Sequence, residues 1–442
     1  MARGLAGRRR SAATGAPPHQ RTVLPNGLRV VSQELHASRS VAVAIFVGVG
    51  SRYEASAEAG LSHLVEHLAF KGTERYPQAG AISEMIEGGG GGINAATDRE
   101  LTVYSARVPR DRSERAFEVI SELVLHPLLR ASDLVAEKPV IVDEIRAYVD
   151  SPTDHVFTLF DELLFGDHPL GREVAGTPRS VRRASIAAVR AHWAHWYQPR
   201  HLVLAVAGAI SHAEVVAAAT LWFTPDSASP AADRGTPRTE PPVPGAPGRV
   251  RVAFRRLTQG NLCLGMPGVS RADPDRWALE LLGALLGDGM SSRLFLELRE
   301  RRSLTYDVGT FSSMYADCGT LGVHAGFDPS QATVVVAAVI DQLRRVVEEP
   351  VGQSELERAR AYTRGRLELR MDDPGAVASW LGTGESLLPR ILTVDEVAAR
   401  LEEVDVDDLL RVARKHLRPD QARLVLLGPF RRRHAFEELL AA

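Results

Sequence analysis

Two hydrophobic periods alternate along this chain, one of strand type and one of helix type. Val41–Val49, opening on the apolar run Val41–Val47, reads as a buried strand, Leu101–Val108 reads as a strand, and the apolar run Leu202–Ala207 reads as a strand closing before Gly208. Thr22–Val31 carries Pro25-Asn26-Gly27 between apolar residues, the signal of a hairpin turn. Helical spacing marks Ala57–Lys71, Ala79–Glu87, Arg112–Leu125 and a longer segment Ser132–Val149 with Ser132 as its cap. His192, Trp193, His195 and Trp196 read as an aromatic-rich amphipathic helix. A second half follows the same style. Strands are expected near Val250–Arg255, Leu262–Met266, Thr305–Ser312, Gly319–Gly326 and Arg423–Leu427. Helices are expected at Pro274–Leu286, at Ser292–Arg301 and in several pieces between Gln331 and His416.

Between the halves, residues 224–248 hold seven prolines and no periodicity, which is a linker signature. The halves also echo each other. Pro199 precedes Gly208 by nine residues, Pro419 precedes Gly428 by nine, and the two glycines are 220 apart. The expectation is a duplicated α+β fold. Its divisions are a disordered Arg-rich tail (1–20), a first domain (21–223), the linker (224–248) and a homologous second domain (249–442).

Composition narrows the function. A formal net charge of -2 gives no basic excess for phosphate contacts, so no nucleic-acid partner is expected. No apolar run approaches the ~20 residues that span a bilayer, so no membrane insertion is expected. Cys263 and Cys318 are too few for a disulfide framework and lack metal-ligand spacing. The tail has no apolar core, which excludes a secretory signal. It reads as disordered, with an organelle transit peptide as the alternative, and a cytoplasmic location follows as the expectation.

The chemistry lies in Gly60-Leu61-Ser62-His63-Leu64-Val65-Glu66-His67-Leu68. Positions i and i+4 share a helix face, so His63 and His67 project together and suit two imidazoles on one Zn²⁺. Glu66 borders that face and can act as general base on a metal-bound water without being a ligand. This H-x-x-E-H order reverses the commoner H-E-x-x-H. At the repeat offset, His63 and His67 fall on Gly283 and Gly287, and Glu66 falls on Leu286, so one zinc per chain is expected.

The motif resembles the pitrilysin/insulinase family of zinc peptidases, including bacterial processing peptidases and the β subunit of the mitochondrial processing peptidase. The resemblance runs from Arg21 to Pro429 and includes Leu24-Pro25-Asn26-Gly27-Leu28-Arg29-Val30, Gly50-Ser51-Arg52-Tyr53-Glu54, Phe70-Lys71-Gly72-Thr73, His168-Pro169-Leu170-Gly171-Arg172 and Gly176-Thr177. It implies two homologous α+β domains, each a mostly antiparallel sheet packed with helices. It makes Glu144, 77 residues past His67, the third ligand. Glu137, seven residues earlier, would orient a ligand or the water; Asp143 points about 100° away. Two departures stand out: Pro139 interrupts the helix carrying both glutamates, which should kink it. Five glycines, Gly88–Gly92, replace a shorter pair and should make that loop mobile.

The resemblance also implies that Ile93–Tyr104 holds substrate as an edge strand, with Asn94 and Ala95 contacting peptide backbone. Arg299 and Tyr306 match a pair that contacts the scissile region. The implied activity is zinc-dependent endopeptidase on extended or unfolded peptides, with a non-catalytic partner or scaffold subunit of the same fold as the alternative. A zinc hydrolase of non-peptide substrates fits the motif alone. The implied assembly is a homodimer, or a heterodimer with a related subunit, because a two-domain chain resembles half of a four-domain chamber.

Overall fold

The computed structural model describes residues 18–224, 248–418 and 421–441. The expected linker, apart from its end residues, and the expected tail, apart from its last three, lie outside the described residues, as does Pro419.

The first sheet contains β1 (Gln20–Val23), β2 (Arg29–Glu34), β3 (Ser40–Val47), β4 (Gly92–Thr97), β5 (Thr102–Pro109) and β6 (Leu202–Gly208), in the order β1-β2-β6-β3-β5-β4. The expected hairpin is β1–β2: Val23 pairs with Arg29, the Gly27 N–H donates to Leu24 O, and Gly27 turns at φ 89°. The second sheet contains β7 (Val250–Phe254), β8 (Gly260–Gly268), β9 (Thr305–Met314), β10 (Gly319–Phe327) and β11 (Arg423–Gly428), in the order β7-β11-β8-β10-β9. The repeat seen in sequence is a repeat of wiring. β6 runs parallel to β2 and antiparallel to β3, while β11 runs parallel to β7 and antiparallel to β8. Gly208 and Gly428 end equivalent strands.

The first half carries α1 (Leu61–Ala69), α2 (Ala79–Glu87), α3 (Ser113–Leu125), α4 (Ala131–Asp150), α5 (Pro152–Phe165), α6 (Pro178–Arg183), α7 (Ile186–Trp196) and α8 (His212–Trp222). The second carries α9 (Arg276–Gly287), α10 (Ala332–Glu348), α11 (Gln353–Arg370), α12 (Pro374–Leu387), α13 (Val394–Glu403), α14 (Val406–His416) and α15 (His434–Ala441). Three local expectations change. The N-cap of α4 is Arg130, without a side-chain cap, so Ser132 lies inside the helix. Residues Phe295–Arg301 form a π-helix rather than an α-helix. The α1 segment starts at Leu61, preceded by a short 3-10 turn Ser56–Glu58.

The halves are locked together by exchanged helices, which local periodicity cannot show. α12 of the second half lies on the first sheet, where Val377, Ala378 and Leu381 join Phe46, Ala44, Val203 and Ala205 in one buried cluster. A Cβ on Gly382 would fall 1.9 Å from the Phe46 ring, so only glycine permits that approach. Reciprocally, α5 of the first half lies on the second sheet, with Leu159, Phe160 and Leu163 against Cys263, Val425 and Leu427. A buried ion cluster crosses the same seam. Glu100 accepts from Arg52 at 2.6 Å, Arg271 at 2.8 Å and the Ala316 N–H at 3.0 Å, and Arg52 also pairs with Asp317 at 2.8 Å. Cys263 and Cys318 are both free. Among the described residues no helix is long and apolar enough to cross a membrane.

Candidate metal centre

Helix α1 is short and mostly buried. Leu64, Val65, Leu68 and Ala69 face the core, while His63 and His67 leave the helix on one side. Their Nε2 atoms lie 3.2 Å apart. Helix α4 delivers Glu144, whose carboxylate oxygens lie 3.7 Å from His63 Nε2 and 3.5 Å from His67 Nε2. Among the described residues, His63, His67 and Glu144 form the one group of three His, Cys, Asp or Glu donors that converges, within 4.8 Å. Zinc–nitrogen and zinc–oxygen bonds of about 2.0–2.1 Å at tetrahedral angles separate ligand atoms by roughly 3.3 Å, and the observed separations bracket that value.

Pro139 leaves the placement of the two glutamates intact. α4 is continuous from Ala131 to Asp150 with Pro139 inside. The carbonyl that Pro139 fails to bond belongs to Val135, an exposed residue, so water can satisfy it. Glu137 and Glu144 then grip His67 from opposite sides of its ring. Glu137 Oε1 is 2.9 Å from His67 Nδ1, and Glu137 Oε2 accepts from Lys71 Nζ at 2.6 Å. This carboxylate fixes the tautomer and ring plane that leave Nε2 free to ligate. Asp143 turns outward and pairs with Arg146 at 2.8 Å.

Glu66 accepts from Thr97 Oγ1 at 2.6 Å, which ties the end of β4 to α1. Burial pushes Glu66 upward from the ordinary carboxylate range, against the pull of the Thr97 hydrogen bond. Burial, reinforced by the neighbouring His67, lowers His63 to about 4, so its imidazole is neutral near pH 7 and able to ligate. Beneath the site, the Tyr104 and Tyr197 hydroxyls pair at 2.9 Å in the core.

Asn94 and Ala95 sit on β4, the outermost strand of its sheet. The Ala95 N–H donates locally to Asn94 Oδ1 at 3.0 Å, and among the described residues no strand pairs with the outer edge of β4. The glycine run before β4 is held by backbone bonds: the N–H groups of Gly88, Gly89, Gly90 and Gly91 all donate back to α2 carbonyls. Arg299 and Tyr306 meet each other, with the guanidinium carbon 5.0 Å from the Tyr306 ring and 4.8 Å from the Phe295 ring. Tyr306 is 78% exposed. Among the described residues, neither makes a polar contact with His63, Glu66, His67 or Glu144.

Sequence reasoning missed four supports of the site. Lys71, Thr97 and His192 hold Glu137, Glu66 and Ser62 respectively, the last through a 3.1 Å contact from His192 Nε2 to Ser62 Oγ. Lys71 stands four residues past His67, a helical spacing that could have flagged it. The fourth, Glu54, caps α1 and gave no spacing signal.

Known proteins resemble this chain over most of its length. Residues 29–178 match the model of the insulinase family (peptidase family M16), and residues 183–362 match that of the peptidase M16 inactive domain. An uncharacterized zinc protease of Streptomyces coelicolor is 39% identical over 94% of this chain and 91% of its own. One of Mycobacterium tuberculosis is 35% identical over 98% and 97%. One of Bacillus subtilis is 30% identical over 93% and 98%. The crystal structure of a protease from Helicobacter pylori superposes with a TM-score of 0.85 at 22% identity, over 93% of this chain and 100% of that one, and shares the fold. Matching family models in both halves and relatives aligned nearly end to end place this chain in the insulinase family, peptidase family M16.

Proposed function

We propose that the chain is a zinc-dependent endopeptidase that hydrolyses extended or unfolded peptides. The observation that carries this reading is the convergence of His63 Nε2, His67 Nε2 and the Glu144 carboxylate beside Glu66, with an unpartnered strand edge adjoining. These donors would hold one Zn²⁺, which when bound polarises the scissile carbonyl and its own water. Glu66 takes the water proton and returns it to the leaving amine. Thr97 keeps the Glu66 carboxylate aimed, and Glu137 keeps His67 oriented. The edge of β4 accepts the peptide by main-chain hydrogen bonds, so pockets rather than the strand set specificity.

Zinc content and peptide cleavage of two variants test this. Glu66→Gln is expected to retain about one zinc and lose cleavage by ~10³-fold or more, because it removes a base and no ligand. Glu144→Gln is expected to lose metal as well as activity. Near-normal cleavage by Glu66→Gln would refute the base, and active wild-type protein without metal would refute the reading.

The pairing of half-buried Arg299 with exposed Tyr306, which among the described residues makes no polar contact with the donors of its own chain, favours their use in trans. In a homodimer they would face the partner's metal centre, where a guanidinium and a phenol can stabilise the oxyanion. Mixing inactive Glu66→Gln with weakly active Arg299→Ala under subunit exchange is expected to restore activity, since one site then has both parts intact. No recovery despite verified exchange, or a fully active monomer, would reject the dimer.

A further inference from the structure

Helix α1 carries both histidines but begins without a cap of its own. Its N-cap residue is Gly60, at φ 95°, with no side chain to satisfy the first N–H groups. A side chain is excluded there, because a Cβ on Gly60 would fall 2.6 Å from Ala175 O. The missing acceptor arrives from six residues upstream. Glu54 Oε2 accepts from the Gly60 N–H at 2.7 Å, and Glu54 Oε1 accepts from the Ser62 N–H at 2.6 Å. The carboxyl group is buried, with Glu54 only 5% exposed.

Glu54 is itself anchored. The Arg172 guanidinium donates to the Glu54 carbonyl at 2.6 Å, and the Glu54 N–H donates to Ser51 O at 3.3 Å. Two residues earlier, Arg52 is fixed in the ion cluster between the halves. Two segments noted in the sequence, Gly50–Glu54 and His168–Arg172, thus converge on the start of one helix.

The two histidines differ in how they are oriented. His67 is gripped at Nδ1 by Glu137. His63 Nδ1 is buried and has no hydrogen-bond partner among the described residues. Among the described residues no hydrogen bond orients the His63 ring from behind, so its placement leans on the backbone of the first turn, and the N–H next to it in sequence, that of Ser62, is held by Glu54. We propose that Glu54 is a positioning residue for the metal centre, fixing the first turn of α1 and through it His63. This rests on the metal reading above.

The test uses the full-length, zinc-loaded protein and a chromophoric chelator that competes for zinc. Glu54→Gln keeps the size of the side chain but replaces one acceptor oxygen by a donor. Glu54→Asp keeps the acid but is too short to reach both N–H groups. Each is expected to weaken zinc binding about tenfold, the usual cost of losing a group that orients a ligand, with the circular dichroism spectrum unchanged. Thr393→Ala removes the capping box of α13, remote from the metal, and serves as the control for a cap that acts on stability alone. It is expected to lower the melting temperature and leave zinc affinity unchanged. Wild-type affinity in folded Glu54→Gln overturns the proposal; should that variant fail to fold, wild-type affinity in Glu54→Asp overturns it. Wild-type protein that binds no zinc defeats the metal reading instead, so the two failures are distinct.

Discussion

Helices α1 and α9 occupy matching places in the two halves and have opposite fates. α1 packs against β4, α4 and α7, while α9 packs against β9, α11 and α14. On α1, His63 and His67 stand between the helix and its neighbours, and Thr97 of β4 reaches across to Glu66. On α9 the corresponding positions are Gly283 and Gly287, and Thr310 of β9 closes the space, its hydroxyl donating to the Gly283 carbonyl at 2.9 Å. In the first half the imidazoles of α1 meet the Glu137 and Glu144 carboxylates of α4, and the edge strand meets α1 through Thr97 and Glu66. The second half brings helix and strand into backbone contact, which packs well and leaves no room for ligands.

That contact can be broken by one methyl group. A Cβ on Gly287 would lie 2.4 Å from Thr310 N and 2.9 Å from Gly309 C, and neither backbone atom can move without shifting β9. Gly287→Ala is therefore expected to destabilise the protein by about 2 kcal/mol, within the range for overpacking. Gly365, inside α11, is the matched control because nothing lies within 4 Å of its Cβ position. There Gly365→Ala is expected to stabilise by about 0.5–1 kcal/mol through helix propensity. Denaturant unfolding of both variants reads the difference. A neutral or stabilising Gly287→Ala would mean that α9 and β9 have slack, and that packing is not what keeps a ligand set out of the second half.

How much of this was legible in the sequence depends on distance along the chain. The H-x-x-E-H spacing shows its ligands because one helical turn brings them together, and the duplicated wiring shows itself in the Pro/Gly echo around Gly208 and Gly428. Glu144 came from resemblance; its spacing from His67 has no local meaning. Glu54 was invisible because a carboxyl group capping a helix from beyond a 3-10 turn leaves no fixed interval, and Gly60 at the cap reads as an ordinary turn. The exchange of α5 and α12 was equally hidden. Their apolar faces are satisfied by the opposite sheet, and periodicity reports that a face is buried without saying where. Ser132 misled for a related reason: it has a cap's chemistry, yet the helix already begins at Ala131.

The starts of α1 and α9 also differ in their acids, and pH should separate them. At α1, burial outweighs the two N–H bonds and lifts Glu54 to about 7. At α9, the N-cap Asp275 turns away from the backbone; burial works against its charge, but hydrogen bonds from Lys415 and Arg411 prevail and hold it down at about 2. The signs are opposite. A raised carboxyl favours the folded state most below its ordinary value of about 4.5 and loses that contribution as pH rises through about 7. A depressed one contributes above its ordinary value of about 3.8 and loses that as pH falls through about 2. Melting temperatures of metal-free protein across this span, for wild type, Glu54→Gln and Asp275→Asn, give the test. The gap between wild type and Glu54→Gln is expected to narrow on going from mildly acidic to neutral pH. The gap between wild type and Asp275→Asn is expected to narrow on going from mildly to strongly acidic pH. The Asp275 effect should be the smaller, because Arg411 and Lys415 are more than half exposed and solvent screens their attraction. A Glu54→Gln gap that widened toward neutral pH would show that the N–H groups of α1 outweigh burial and hold Glu54 ionised, making the two helix starts alike.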